Sequence, residues 1–269
     1  MMSGHKLSFE ERLKRCDKPI LKKLYHIILV KKSLLCVAAD FTNPQKVIKL
    51  AEAVGDHICI LKLHTDLLES ECSNLGEFRK HLWRLSRDRN FLIFEDRNFY
   101  DGAKTIELAY RNIVKFVDLV SVIPISDDIM EAIERVAKED PSNEPKGCLA
   151  VCDLSYRNNV PNTSQYLELV ERNGKICCGI VGQFATLSDR VNFIKLTPGV
   201  RALDSNEISH CDTTGQKWHD PRELIKRGSD ILVVGRSITS EPEDSWGSTA
   251  LSYKELAFSA YLQQLEESF

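Results

Sequence analysis

What this sequence lacks most plainly is an excess of basic charge: 36 Lys and Arg stand against 39 Asp and Glu, a net charge of -3 over 269 residues. With a pI near 6.2 there is no basic stripe to follow a nucleic-acid backbone or an anionic bilayer surface, so neither is expected as a partner. Long apolar runs are missing as well. None approaches the roughly 18 residues that a membrane span requires, and the opening MMSGHKLSFEERLKRCDK is polar where a signal peptide would be apolar. No linker or low-complexity tract interrupts the chain. A soluble, cytoplasmic protein is the expectation. Cysteine is plentiful at nine residues, but no pair has the spacing of a zinc knuckle or a CxxC redox site. Cys36, Cys59, Cys148, Cys152, Cys177 and Cys178 sit inside apolar runs, where a reduced thiol behaves as a small hydrophobe. No metal site is expected from them.

What is present is a repeat of one motif: a short apolar run, a turn signal, then a segment of helical period, the mark of βαβ units. Eight such runs occupy residues 33–40, 57–64, 91–96, 119–124, 148–155, 176–183, 193–198 and 230–236. Between the first two, Asn43 can cap a helix, Pro44 suits its first position, Gly55 follows its end, and Val47, Ile48, Ala51 and Val54 share a face. Eight strands fit a closed barrel better than an open sheet. The expected architecture is a single α/β domain, a (β/α)₈ TIM barrel over residues 33–269, after an N-terminal helical extension over residues 1–32. The pattern is weakest between the sixth and seventh runs, where ATLSDRV offers little more than one helical turn. Residues 201–221 are long for a connection, as functional lids often are.

In such a barrel the active site lies at the C-terminal strand ends, commonly with a phosphate site after the last two strands. The first run ends in Asp40, the second carries Lys62 and His64, and the third carries Asp96 and Asn98. In each pair a spacing of two puts both side chains on one face. The fifth ends near Ser155, the seventh in Thr197, Pro198 and Gly199, and the eighth in Gly235 and Arg236, a glycine and a guanidinium suited to a phosphate dianion. A structural ion pair is the plain alternative for Lys62 with Asp96, and a surface pair for Arg236. A converging set of Asp40, Lys62, His64 and Asp96 is nevertheless poor core material, because unpaired buried charge is costly.

Together, LCVAAD (35–40), ILKLHTD (60–66), FLIFEDRNFYDGAKT (91–105), IKLTPGV (194–200), GQKWHDP (215–221) and RGSDILVVGRSI (227–238) resemble orotidine 5′-phosphate decarboxylase over nearly the whole chain. That family forms UMP without metal or cofactor, using an alternating Lys, Asp, Lys, Asp network around the carbon that loses CO₂. The resemblance implies that Lys62 and Asp96 match its first lysine and aspartate. Asp101 matches the second aspartate, supplied across a homodimer. Asp40, His64 and Thr105 match ribose contacts, Ser155 and Pro198 the base pocket, and Gln216, Gly235 and Arg236 the phosphate grip.

Two departures matter. The family's proton-donating lysine falls on Asn98, and Trp218 stands where a phosphate-binding tyrosine is usual. An amide offers neither an acidic proton nor a positive charge, so general acid catalysis and electrostatic stabilisation of the carbanion are lost together. The expectation is a barrel of pyrimidine metabolism with reduced or lost catalysis and a retained pocket for orotidine 5′-phosphate or UMP, acting as a homodimer or paired with an active paralogue. Two further readings stay open: an active decarboxylase in which Lys104 supplies the missing charge, and a non-catalytic structural or interaction protein.

Overall fold

A computed structural model of the chain describes residues 7–68, 74–153, 163–183, 186–202, 209–211 and 217–267. The expected residues Ser155 and Gln216 lie outside the described residues. Helix α1 (Phe9–Arg15) opens with a capping box in which the Ser8 hydroxyl accepts from the Glu11 amide and the Glu11 carboxylate accepts from the Ser8 amide. Helix α2 (Pro19–Lys31) buries Leu21, Leu24 and Ile28 beneath the barrel. Arg12 ties the two helices to the barrel. Its guanidinium donates to Asp230 at 2.8 Å, to the Tyr25 hydroxyl at 2.8 Å and to the Phe193 carbonyl at 2.7 Å.

Eight parallel strands then close into a barrel. They are β1 (Leu35–Ala38), β2 (Ile60–Leu63), β3 (Leu92–Phe99), β4 (Leu119–Val122), β5 (Gly147–Val151), β6 (Cys177–Val181), β7 (Ile194–Thr197) and, after a two-stranded sheet, β10 (Ile231–Val234). Each lies within its apolar run or overlaps it, because a strand buried on both faces has to be apolar on both. β3 differs. It runs three residues past its apolar run, and its register against β4 slips between Glu95 and Phe99. Within that slip Asn98 adopts φ 51°, a left-handed conformation that asparagine tolerates better than most residues.

Helices α3 (Pro44–Val54), α4 (Leu75–Asp88), α5 (Ala103–Arg111), α6 (Asp127–Lys138) and α7 (Thr163–Arg172) alternate with the first six strands. In α3 the Asn43 side chain accepts from the amides of Gln45 and Lys46, and Pro44 takes the first position. Gly55 ends the helix for a packing reason rather than a left-handed turn: its φ is -52°, and a Cβ there would lie 2.7 Å from the Ala51 carbonyl oxygen. No helix separates β6 from β7 among the described residues. The long stretch after β7 is not plain loop, since β8 (Ser209–Cys211) and β9 (Lys217–His219) pair antiparallel. The His219 amide also donates to the Gly199 carbonyl, which fastens β9 to the end of β7. Helices α8 (Pro221–Lys226), α9 (Arg236–Thr239) and the long α10 (Trp246–Glu266) complete the outer layer. Cys36, Cys59, Cys148, Cys152, Cys177 and Cys178 are buried and unbridged, and burial pushes the Cys59 thiol up to about 12. No helix among the described residues is long and apolar enough to cross a membrane.

Candidate active site

At the C-terminal strand ends lies a cavity of about 410 Å³. Most of the side chains reach it from the last residues of a barrel strand or the first residues beyond it, where backbone pairing ends and side chains converge. Asp40 follows β1, Lys62 and His64 come from β2 and the residue after it, and Asp96 and Asn98 come from β3. Pro198 follows β7, Trp218 sits in β9, and Gly235 and Arg236 follow β10. All nine line the cavity, over a floor that includes Phe94, Val181 and Val233. Asp101 and Thr105 do not line it; both are exposed beside the start of α5. Lys104 is also turned outward, its ammonium 3.1 Å from Glu107, so it contributes no charge to the cavity of its own chain.

Lys62 is the electrostatic centre. Its ammonium is 2.9 Å from Asp40 and 3.2 Å from Asp96, and His64 Nε2 is 3.5 Å from Asp96. Burial by itself would lower the Lys62 pKa, but the two carboxylates outweigh it and hold the value above that of an ordinary lysine. Lys62 is therefore a fixed cation. The alternation argument does not describe how Asp96 and Asn98 both come to line the cavity, because the register slip and the left-handed turn at Asn98 break the simple period between them.

Asp153, just past β5, is a cavity residue that the sequence reading missed. Its carboxylate accepts from the Gln183 amide at 2.5 Å, and a Cβ on Gly182 would lie 2.6 Å from it, so only glycine allows the approach. An Asp closing an apolar run was the available signal, the same one that marks Asp40. On the opposite side, the Arg236 guanidinium stacks over the Trp218 ring at 4.9 Å from its centroid. Stacking engages the face of the guanidinium, while its N–H donors lie in the plane. At Gly235 a Cβ would meet only the Ala38 Cβ at 3.5 Å, an ordinary contact. The reason for glycine there is therefore not crowding within the protein.

The cavity thus joins a paired cation, several carboxylates, an apolar floor and an arginine at the far rim. Comparison with known proteins identifies the family. Orotidine 5'-phosphate decarboxylase of Eremothecium gossypii is 28% identical over 270 residues, covering 97% of this chain and 98% of that one. Uridine 5'-monophosphate synthase of Bos taurus is 31% identical over 256 residues, 92% of this chain but 50% of that longer protein. Among solved structures, orotidine 5'-phosphate decarboxylase from Pyrococcus horikoshii superposes with a TM-score of 0.60 at 18% identity, covering 83% of this chain and 98% of that one. KGPDC from Streptococcus mutans does so at 0.58 and 16%, covering 84% and 98%, so the fold alone does not name a reaction. Residues 33–245 match the family as a whole, and the chain belongs to the Orotidine 5'-phosphate decarboxylase / HUMPS family.

Proposed function

We propose that this chain is a pyrimidine nucleoside monophosphate-binding member of the family in which decarboxylation is lost or much reduced. The observation that carries the proposal is Asn98, an amide in the cavity wall at the position the family resemblance assigns to the proton-donating lysine. Without that group no side chain there delivers a proton to a carbanion at the pyrimidine ring, and losing a general acid costs about 10² to 10⁴ in rate. The charge balance works in the same direction. Lys62 is already shared between Asp40 and Asp96, and Asp153 adds a third carboxylate to the wall. A substrate carboxylate entering beside them meets repulsion, whereas UMP, which lacks that group, does not.

Binding needs less than catalysis. Arg236 and the space left by Gly235 suit the phosphate, Asp40, Lys62 and His64 suit ribose hydroxyls, and Pro198 offers an apolar wall to the base. Ser155 and Gln216 are proposed to add base and phosphate contacts. Asp101 and Thr105 are proposed to reach the cavity of a second copy across a two-fold dimer. In support, Tyr100 is 63% exposed and Ile125 is 48% exposed on the same strand-end side, an apolar surface suited to an interface. The test is a paired measurement on the purified chain: decarboxylation of orotidine 5′-phosphate, and thermal stabilisation by UMP. Stabilisation without turnover supports the proposal. Vigorous turnover overturns it, and absence of both favours a structural protein without a ligand.

A further inference from the structure

The connection between β6 and β7 holds no helix among the described residues, and beside it lies a cleft of about 650 Å³. It shares no lining residue with the strand-end cavity. Elements from distant parts of the chain ring it: Arg12 of α1, Arg190 of the β6–β7 connection, Lys195 of β7, and Lys226 and Arg227 at the end of α8. Among the described residues Asp189 is the one carboxylate in the lining, and its Oδ1 is already accepting from the amides of Val191 and Asn192. Arg12 and Arg190 are committed to Asp230 behind the wall. Lys195, Lys226 and Arg227 are the cations left to act on an occupant, and only Arg227 of the three has a described carboxylate partner, Glu223.

Lys195 is the informative residue. Leu196 lies in register with inward-facing Val181, so alternation turns Lys195 outward, into the layer where a helix would normally pack on apolar side chains. It is 3% exposed, and its ammonium donates to the Gln183 carbonyl at 2.8 Å. An ammonium has three donors. Among the described residues no second acceptor and no carboxylate partner is present for this one. Desolvation lowers its pKa, and repulsion from Arg190 and Arg227 adds to the effect; the attraction of Asp153 and Asp230 offsets it only in part, which leaves a field that an anion would relieve. Burying a lysine against other cations is costly, and a bound anion is the simplest compensation.

We propose that the β6–β7 cleft is a second binding site, distinct from the strand-end cavity, that takes a compact phosphate group, either free or carried on a small molecule. Lys195 supplies the buried charge at its floor, and Lys226 and Arg227 supply exposed charges at its rim. The site lies beside a connection that holds no helix among the described residues and shares no lining residue with the strand-end cavity, so it needs no rearrangement of that cavity.

The experiment uses the Arg236→Ala chain, in which the strand-end phosphate contact is removed, and follows its melting temperature against inorganic phosphate, with sodium chloride at equal ionic strength as control. A saturable rise that chloride does not reproduce is expected. The double substitution Lys226→Glu and Arg227→Glu, at exposed positions that do not endanger folding, is expected to weaken the response about tenfold or more, as the loss of charge-assisted hydrogen bonds implies. Lys195→Met is expected to abolish it. A parallel titration with glycerol 3-phosphate distinguishes the sources, since tighter binding of the ester identifies a small-molecule ligand and equal binding identifies the free ion. A response matched by chloride, or one unchanged in the double variant, overturns the proposal.

Discussion

The backbone amide of Asn98 donates to the Ser121 hydroxyl at 2.7 Å, across the slip in register between β3 and β4. The slip removes the carbonyl that an ordinary ladder would offer this amide, and the buried Ser121 side chain replaces it. This bond and the left-handed φ of 51° together fix where residue 98 enters the cavity wall. The identity of residue 98 is therefore a backbone matter as well as a chemical one.

The unmodified chain is expected to show no decarboxylation of orotidine 5′-phosphate above background, and Asn98→Lys is expected to restore a detectable, partial rate. Lysine tolerates the left-handed turn less well than asparagine. A penalty of about 1 kcal/mol would lower the melting temperature by about 2–4 °C. A spectrophotometric assay and a thermal melt on the same two proteins check both halves.

UMP at 100 times its dissociation constant should stabilise the folded chain by about 2.7 kcal/mol. Arg236→Ala should abolish the shift. An undiminished shift in that variant would place the phosphate elsewhere than beside Trp218, and calorimetric titration would then locate the loss.

A two-fold dimer is expected in solution, formed through the strand-end face that carries Tyr100, Asp101 and Thr105. Tyr100→Glu should shift it to monomer by placing charge in an apolar contact. Light scattering at micromolar concentration reads both states, and a monomeric unmodified chain would refute the interface.

Glu95 is fully buried, its Oε1 accepting from both the amide and the hydroxyl of Thr65 at 2.9 Å, while its Oε2 has no partner among the described residues. Burial pushes its carboxyl up to about 7, so the fold prefers the protonated form more than the unfolded chain does. The stability from this group is fully present below the unfolded carboxyl value, about 4.3, and is lost as pH rises through about 7. Glu95→Gln should flatten the decline in denaturant midpoint over that window. An identical pH profile in the two proteins would show that Glu95 is ionised throughout.

Removing the Arg12 side chain should be among the most damaging changes in the molecule. It would leave a buried Asp230 without one of its cations and the Phe193 carbonyl without its guanidinium donor. Breaking a buried pair in this way costs about 3–5 kcal/mol, measured as a drop in denaturant midpoint for Arg12→Ala.

Much of the site was legible because barrel strands are short and apolar, and the first polar residue after each run marks where it opens. Asp40, Lys62 and Arg236 follow that rule, whereas in the third run the buried Glu95 comes first and Asp96 lines the cavity one residue later. Asp153 follows it as well, and was overlooked in favour of Ser155 two residues on. The conformation of Asn98 was not legible, since a bulge depends on the pairing partner, and Ser121 is more than twenty residues away.

The sequence by itself determined the barrel, the order of its strands and the family, because burial on both faces dictates apolar runs and motif order survives divergence at about 30% identity. Tertiary structure alone decided which charges meet. Lys62 is shared by two carboxylates, Arg236 stacks on Trp218, and Arg12, Lys195 and Lys226 meet from three distant segments around one cleft. The physical reason is range. Strand periodicity is local to a few residues, whereas Coulomb and packing energies depend on distances that only the closed barrel sets.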